Sequence, residues 1–194
     1  MDIILFHGTN ELSQNNIVNS GIDVNLSKKC GDFGKGFYLT PELDSAKSIA
    51  LRKSFQDIRP AVVELTLKKE YNNFVKVKSF GNLTLSSSDK DILEWAQFIV
   101  NNRCGIDYIN KVAVRYGYEE NNLDKRYDMV VGTIADGSIT KVVRLCNAEK
   151  RLVSLTEAKG FLNKSFGIQY CICTVKGLSA IDKLPRKKKG VSWR

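Results

Sequence analysis

Residues 31–40 constrain the fold of this chain more than any other segment. They read Gly-Asp-Phe-Gly-Lys-Gly-Phe-Tyr-Leu-Thr, so three glycines precede a short apolar run. Because glycine adopts backbone angles that other residues avoid, the first half predicts a loop, and the apolar residues 37–39 predict a strand. Thr40 and Pro41 then predict the cap and the first position of a helix. The segment therefore predicts a loop, a strand and a helix in direct succession.

This glycine-rich segment departs from two well-known nucleotide-binding loops. In a P-loop the pair Gly-Lys is followed by Ser or Thr, but Lys35 is followed by Gly36. In the dinucleotide-binding fingerprint the glycines lead directly into a helix, whereas here they precede a predicted strand. Taken alone, the segment predicts only a glycine-rich turn.

Hydrophobic patterns elsewhere in the chain predict both helices and strands. A length of 194 residues favours one domain, because a chain of this size is too short for two well-buried cores. Apolar runs predict strands over residues 3–6, 61–67, 73–77, 128–134 and 167–174. Caps and apolar faces predict helices over residues 11–19, 89–102, 106–116 and 156–162, besides the one that starts at Thr40. We therefore expect a single α+β domain.

Charge and cysteine content narrow the classes of function. Of the net charge of +9, six Lys or Arg residues lie in residues 183–194, whereas residues 1–182 carry 24 basic and 21 acidic residues. Five cysteines, with no Cys-x-x-Cys pair and a single histidine, disfavour a disulfide scaffold and a tetrahedral zinc site. No apolar run approaches the roughly 20 residues of a membrane helix. We therefore expect a cytoplasmic protein that holds no metal and binds no membrane.

Three segments gain meaning when they are considered together. His7-Gly8-Thr9 ends the first strand, residues 34–40 follow, and residues 169–173 form a late strand. In order and composition they resemble the ADP-ribosyltransferase superfamily, in its poly(ADP-ribose) polymerase-like branch of the His-Tyr-Glu type. Residues 32–40 also resemble a run found in small bacterial proteins of uncharacterised function on this fold, which carry a late glutamine. The resemblance implies split mixed β-sheets with peripheral helices around an NAD cleft in residues 1–184, followed by a basic tail at 185–194.

The resemblance implies NAD as a co-substrate and assigns roles to individual residues. His7, Tyr38 and Gln169 are the implied catalytic residues. His7 binds a ribose hydroxyl, Gly8 offers its backbone to the nicotinamide amide, and Tyr38 stacks on the nicotinamide ring. The residues implied to contact NAD are His7, Gly8, Thr9, Gly34, Gly36, Phe37 and Tyr38. Without the resemblance, His7 is interpreted as a packed imidazole and Tyr38 as a half-buried sheet residue.

Three positions depart from the pattern of the resembling family. Ala46 stands where a serine is expected, and Ile49 stands where a second stacking aromatic is expected. Gln169 replaces the glutamate that stabilises the sugar cation, so it keeps a hydrogen bond and loses a charge. The loss of an aligned charge in a dry site lowers a rate by about 10²- to 10³-fold. Candidates for an auxiliary acid are Glu42, Glu94, Asp128 and Asp136.

These observations leave three hypotheses about function. The first is a mono-ADP-ribosyltransferase that cleaves NAD at the nicotinamide–ribose bond and modifies a protein or nucleic acid. Small stand-alone relatives imply a bacterial toxin with an antitoxin partner. The second is a catalytically silent module that binds NAD or ADP-ribose, and the third is a basic nucleic-acid-binding protein. In the third, the basic tail contacts phosphates and Trp193 stacks on a base, although the tail is equally interpreted as a solubilising end.

Overall fold

The computed structural model of the protein describes residues 3–26, 31–54, 58–135, 137–162 and 167–193. The strands are β1 (Ile3–Asn10), β2 (Phe37–Leu39), β3 (Pro60–Leu67), β4 (Val77–Ser79), β5 (Met129–Thr133), β6 (Ile168–Ile172) and β7 (Ile181–Lys187). The α-helices are α1 (Glu11–Ser20), α2 (Leu43–Lys53), α3 (Asp89–Cys104), α4 (Ile106–Lys111), α5 (Ile139–Glu149) and α6 (Leu155–Gly160). The predicted α+β class is confirmed. In the described part of the chain, no helix combines the length and apolar character needed to cross a membrane.

The strands form two separate sheets. One has the order β1-β3-β7 and is antiparallel throughout. The other has the order β2-β6-β5-β4, in which only β4 and β5 run parallel. The sheets meet at one isolated bridge, where Phe6 N–H donates to Thr40 O at 2.8 Å and Thr40 N–H donates to Phe6 O at 2.9 Å. The bridge brings β1 beside β2, the two strands that carry the glycine-flanked motifs.

Apolar side chains on both sides of the four-stranded sheet hold the fold together. Helices α3 to α6 contribute to a cluster on one side, in which Trp95, Tyr108 and Phe161 are fully buried. A second cluster combines side chains of both sheets, such as Leu5 of β1 and Ile172 of β6. Burial of each such side chain stabilises the fold by roughly 1.5–3 kcal/mol, so the two clusters fix the sheets relative to each other.

The predicted helix at Thr40 and Pro41 was placed too early. Helix α2 begins at Leu43 with Glu42 as the preceding cap residue. The reason is the bridge to Phe6, because Thr40 uses both its backbone groups in extended pairing and cannot also start a helix. The predicted strand over residues 73–77 is also wrong, since Tyr71–Asn73 is a 3-10 turn and β4 begins at Val77.

Other predicted boundaries fall close to the observed ones. Helix α1 starts after Asn10, whose side chain accepts from Ser13 N–H, and ends at Gly21, as expected. The predicted helix over residues 106–116 is α4 followed by a 3-10 turn over Ala113–Tyr116. Helix α5 was not predicted, and Cys30 lies outside the described residues.

The start of the predicted basic tail is a strand of the sheet. β7 extends to Lys187 and pairs with β3, so the boundary after residue 184 does not separate a free tail from the domain. Pro185 is compatible with this position because β7 is an edge strand, where a missing N–H is tolerated. Buried Glu64 of β3 accepts from Arg186 Nε at 2.7 Å and pairs with Lys188 Nζ at 2.7 Å. The buried carboxylate therefore binds two of the tail's cations.

The apolar residues of the segment after β7 also contact the domain. Val191 and Trp193 pack against a cluster formed by Phe6, Ala46, Ala50 and Val62. Trp193 is therefore partly covered by the protein, and its stacking on a base stays a prediction.

Candidate functional site

A small open cleft lies between β1 and β2, next to the bridge that joins the sheets. Its cavity volume is about 70 Å³, well below the roughly 300–1,000 Å³ typical of small-molecule sites. Its lining consists of Phe6, His7, Gly8, Tyr38, Leu39, Thr40, Ile49, Lys53, Ile134 and Gln169. The cleft therefore brings together the three predicted catalytic residues from segments far apart in the sequence.

The imidazole of His7 is held in one tautomer. Its Nδ1 lies 2.7 Å from Tyr38 O, and a carbonyl oxygen only accepts, so Nδ1 carries the proton. Burial and the nearby Lys53 ammonium lower the pKa of His7 from 6.5 to about 3, although the bond to Tyr38 acts in the opposite direction. The ring also stacks on Phe37, with 4.2 Å between ring centroids. At neutral pH, His7 thus presents an unprotonated Nε2 that can accept a hydrogen bond from a hydroxyl.

Gly8 contributes backbone groups to the cleft. Phe6 directs its N–H and C=O towards Thr40, and Gly8, two residues further along the strand, directs its own to the same edge of β1. The carbonyl of Gly8 accepts from Lys53 Nζ at 3.0 Å. Partial desolvation of the ammonium, followed by the Arg52 charge, lowers the pKa of Lys53. One acceptor that the resemblance reserves for a ligand amide is therefore bound by Lys53.

The absence of a side chain at Gly8 serves the packing of α2. A Cβ at this position would lie 2.0 Å from Ala46 O and 2.9 Å from Ala50 N. The sequence suggested that glycine lets a ligand approach the backbone, but the freed space is filled by the helix. Ala46, the position where a serine was expected, is fully buried there, while Ile49 of the same helix lines the cleft.

Tyr38 is fixed by the glycine-rich turn that precedes it. Its hydroxyl accepts from Phe33 N–H at 3.0 Å and donates to Gly34 O at 2.7 Å. Gly31 leaves room for this contact, because a Cβ there would lie 2.5 Å from the hydroxyl oxygen. Burial, with Cys171 and Asp32 nearby, raises the pKa of Tyr38 well above 10, so the phenol stays neutral. The hydroxyl is thus used internally, and the ring is left as the surface that lines the cleft.

Gln169 is bonded to a carboxylate that the sequence analysis did not single out. Its Nε2 donates to Asp32 Oδ2 at 3.0 Å, and Asp32 Oδ1 accepts from Arg103 Nε at 2.9 Å. Both Gln169 and Asp32 are buried. Asp32 is the first residue of the run 32–40 that carries the resemblance, and that position was the one available signal. An acidic group therefore does lie beside Gln169, but it comes from the glycine-rich loop.

The acids proposed from sequence lie elsewhere. Glu42 accepts from Thr40 Oγ1, Glu94 faces Lys90 at 3.9 Å on the surface of α3, and Asp128 accepts from Thr174 Oγ1 at 2.6 Å. These three carboxylates are not among the described residues that line the cleft. Asp136 lies outside the described residues.

Four further residues predicted to contact NAD lie outside the cleft lining. Thr9 is buried in β1, and Phe37 lies behind the His7 ring. Gly34 has a positive φ of 92° that favours glycine, and its carbonyl binds Tyr38. Gly36 allows the loop to approach β6, because a Cβ there would lie 2.5 Å from Ile172 O. These positions shape the cleft from behind, and their contact with NAD stays a prediction.

Comparison with known proteins identifies a family without assigning an activity. No curated protein and no solved structure matches the sequence. A family profile does match, over residues 3–182, which include the first six strands and every residue that lines the cleft and end at the start of β7. The protein therefore belongs to the family described as "Protein of unknown function (DUF3990)".

Proposed function

We propose that the protein is a mono-ADP-ribosyltransferase with an ADP-ribosyltransferase fold, and that NAD is its co-substrate. One observation carries the proposal: a single cleft combines the bare Nε2 of His7, the backbone of Gly8, the ring of Tyr38 and the amide of Gln169. These groups come from the three segments on which the resemblance rests, in the order that the resemblance requires. The neutral state of His7 supports a role as acceptor for a ribose hydroxyl.

The reaction breaks the bond between C1′ of the ribose and the nicotinamide nitrogen. The bonding electron pair leaves with nicotinamide, and the sugar becomes an oxocarbenium-like cation. A nucleophilic oxygen or nitrogen of the acceptor then forms a bond to C1′ and releases its proton. In this proposal His7 and Gln169 orient the ribose by accepting from its hydroxyls, and Tyr38 supports the nicotinamide ring. Because residue 169 is an amide, transfer of single ADP-ribose units is expected instead of polymer extension.

A second candidate, a catalytically silent NAD-binding module, is favoured by the contact between Lys53 and Gly8. The ammonium lies on the carbonyl that would accept the nicotinamide amide, at 3.0 Å. A ligand must displace Lys53 or bind without that hydrogen bond. The silent module and the transferase differ in a single measurable product, which is free nicotinamide.

The test combines ligand-induced stabilisation with product release. Because a ligand that binds only the native state raises stability by mass action, millimolar NAD is expected to raise the melting temperature. His7→Ala and Tyr38→Ala should abolish the shift, while Tyr116→Ala, a change at an exposed tyrosine outside the cleft, should keep it. Stabilisation with nicotinamide release supports a transferase, and stabilisation without release supports the silent module. Absence of both would refute the assignment of the cleft.

The acceptor is identified in a second step. Incubation of the protein with labelled NAD and a cell lysate transfers the label to the acceptor if the proposal is correct. Loss of the macromolecular label after protease digestion identifies a protein acceptor, and loss after nuclease digestion identifies a nucleic acid. If no macromolecule carries label and the label is recovered as free ADP-ribose, the protein hydrolyses NAD.

A further inference from the structure

We propose that Asp32 is a positioning residue which orients the Gln169 amide and supplies the negative charge that Gln169 itself lacks. The inference rests on the proposed function, because the amide acts on the ribose of NAD. It extends that function to a residue in a different element, the loop before β2. The resembling family carries a glutamate at the position of Gln169. Here the carboxylate belongs to Asp32, which is hydrogen-bonded to the Gln169 amide.

The first step of the argument is the orientation of the amide. An ionised carboxylate only accepts hydrogen bonds, so the side chain of Gln169 must turn its NH₂ group towards Asp32 Oδ2. This leaves Oε1 as the amide's acceptor, and Gln169 lines the cleft. Asp32 therefore decides which end of the amide a ribose hydroxyl can meet. Without the carboxylate, both rotated forms of the amide become accessible.

The second step concerns the charge of Asp32. Its side chain is only 9% exposed, and Oδ1 accepts from Arg103 while Oδ2 accepts from Gln169. A buried carboxylate is stabilised only when its oxygens are well bonded, and here the fork of Arg103 satisfies one side. Tyr38 and Cys171 also lie close to Asp32, and burial raises the pKa of both, so neither adds a charge near neutral pH. The carboxylate polarises the amide, because hydrogen bonds in a chain strengthen one another.

The third step is a consequence for Gln169→Glu. Restoring the family's glutamate would place a second carboxylate against Asp32, where the present contact is 3.0 Å. Two like charges at that separation disfavour each other, so one of them takes up a proton. The single change is therefore expected to lower turnover. The exchanged pair, Asp32→Asn with Gln169→Glu, again combines one carboxylate with one amide and is expected to recover it.

The experiment compares nicotinamide release by four full-length proteins: the wild type, Asp32→Asn, Gln169→Glu and the exchanged double variant. We expect Asp32→Asn to lower kcat by about tenfold or more, as removal of an oriented electrostatic group does, with a smaller change in KM for NAD. The double variant should exceed both single variants in kcat. In Gln169→Glu, kcat should depend on pH where the wild type is flat, because the two carboxylates share a proton.

The matched control is Glu157→Gln. Glu157 forms a comparable ion pair with Arg151 at 2.8 Å and belongs to the capping box of α6, away from the cleft. This change should lower the melting temperature and leave kcat unchanged. It thus separates loss of a structural ion pair from loss of the positioning role.

The outcomes distinguish the inference from the proposed function. A wild-type protein that neither binds nor cleaves NAD overturns both. An active wild type with essential His7, combined with wild-type kcat in Asp32→Asn, overturns the inference alone. A double variant whose kcat does not exceed that of Gln169→Glu also overturns the inference alone. If the Asp32 variants fail to fold, slow hydrogen exchange of the Gln169 side-chain amide in the wild type supports the fixed orientation, and fast exchange overturns it.

Discussion

The contribution of His7 to the free energy of unfolding should fall as the pH is lowered, by an amount that follows from its surroundings. Burial and Lys53 lower the pKa of His7 from 6.5 to about 3, so the unfolded chain binds the proton more tightly than the folded one. The stability contributed by neutral His7 is therefore fully present above pH 6.5 and is lost as the pH falls towards 3. Since a tenfold difference in proton affinity is worth about 1.36 kcal/mol, the loss at about pH 4.5 is roughly 2.7 kcal/mol.

The assay uses the fact that the chain contains one histidine. Urea denaturation of the wild type and of His7→Gln is measured between about pH 4.5 and 8. The glutamine keeps a donor for Tyr38 O and removes the titrating ring, so subtracting the two curves removes the contribution of the carboxylates. A proton NMR titration of the single imidazole provides an independent measure of the pKa. A midpoint near 6.5, or parallel stability curves for the two proteins, would refute the reasoning about burial and about the tautomer.

Three further predictions concern other parts of the molecule. Gly8→Ala should lower the free energy of unfolding by about 1–3 kcal/mol, because its Cβ meets the backbone of α2. Urea denaturation against Gly137→Ala, whose Cβ meets nothing within 4 Å at a backbone angle that does not favour glycine, checks this. A loss no larger than that of the control contradicts the packing role. Lys53→Met should enlarge the nicotinamide-induced rise in melting temperature by freeing Gly8 O, and a smaller rise would mean that Lys53 assists the ligand. Replacing the exposed Lys187 and Lys189 with glutamine should weaken any binding to RNA or DNA at low salt without unfolding β7, and unchanged binding would exclude this surface as the contact.

Local sequence signals were enough for the elements whose ends are set by neighbouring residues. Asn10 and Gly21 bound α1 because a cap and a positive-φ glycine act within one turn of the helix. Thr40 failed as a cap because its backbone pairs with Phe6, a long-range contact with no local signal. β7 was not predicted for a similar reason, since a basic run containing Pro185 becomes a strand only beside the buried Glu64 of β3.

The same distinction applies to the cleft. That His7, Tyr38 and Gln169 lie in one cleft could be predicted because their three segments resemble those of a known superfamily. Asp32 was missed because its importance depends on which residue its carboxylate meets across the fold, and the distance in sequence to Gln169 is 137 residues. Lys53 was missed because a lysine near the end of an amphipathic helix normally points to solvent, whereas here it reaches Gly8 O.

Phe6 links the cleft to the far end of the chain. Its backbone forms the bridge to Thr40, and the residue belongs to the cleft lining. Trp193 packs on its cluster, and Lys188 Nζ lies 5.4 Å from its ring centroid. A molecule that draws the segment around Trp193 away would uncover the cluster that contains Phe6, beside the only bridge between the sheets in the described part of the chain. If the position of Phe6 depends on that packing, a ligand in the cleft and the C-terminal segment are coupled by thermodynamic linkage, and each affects the other equally. An affinity tag attached after Trp193 that becomes less accessible on ligand binding would reveal such coupling.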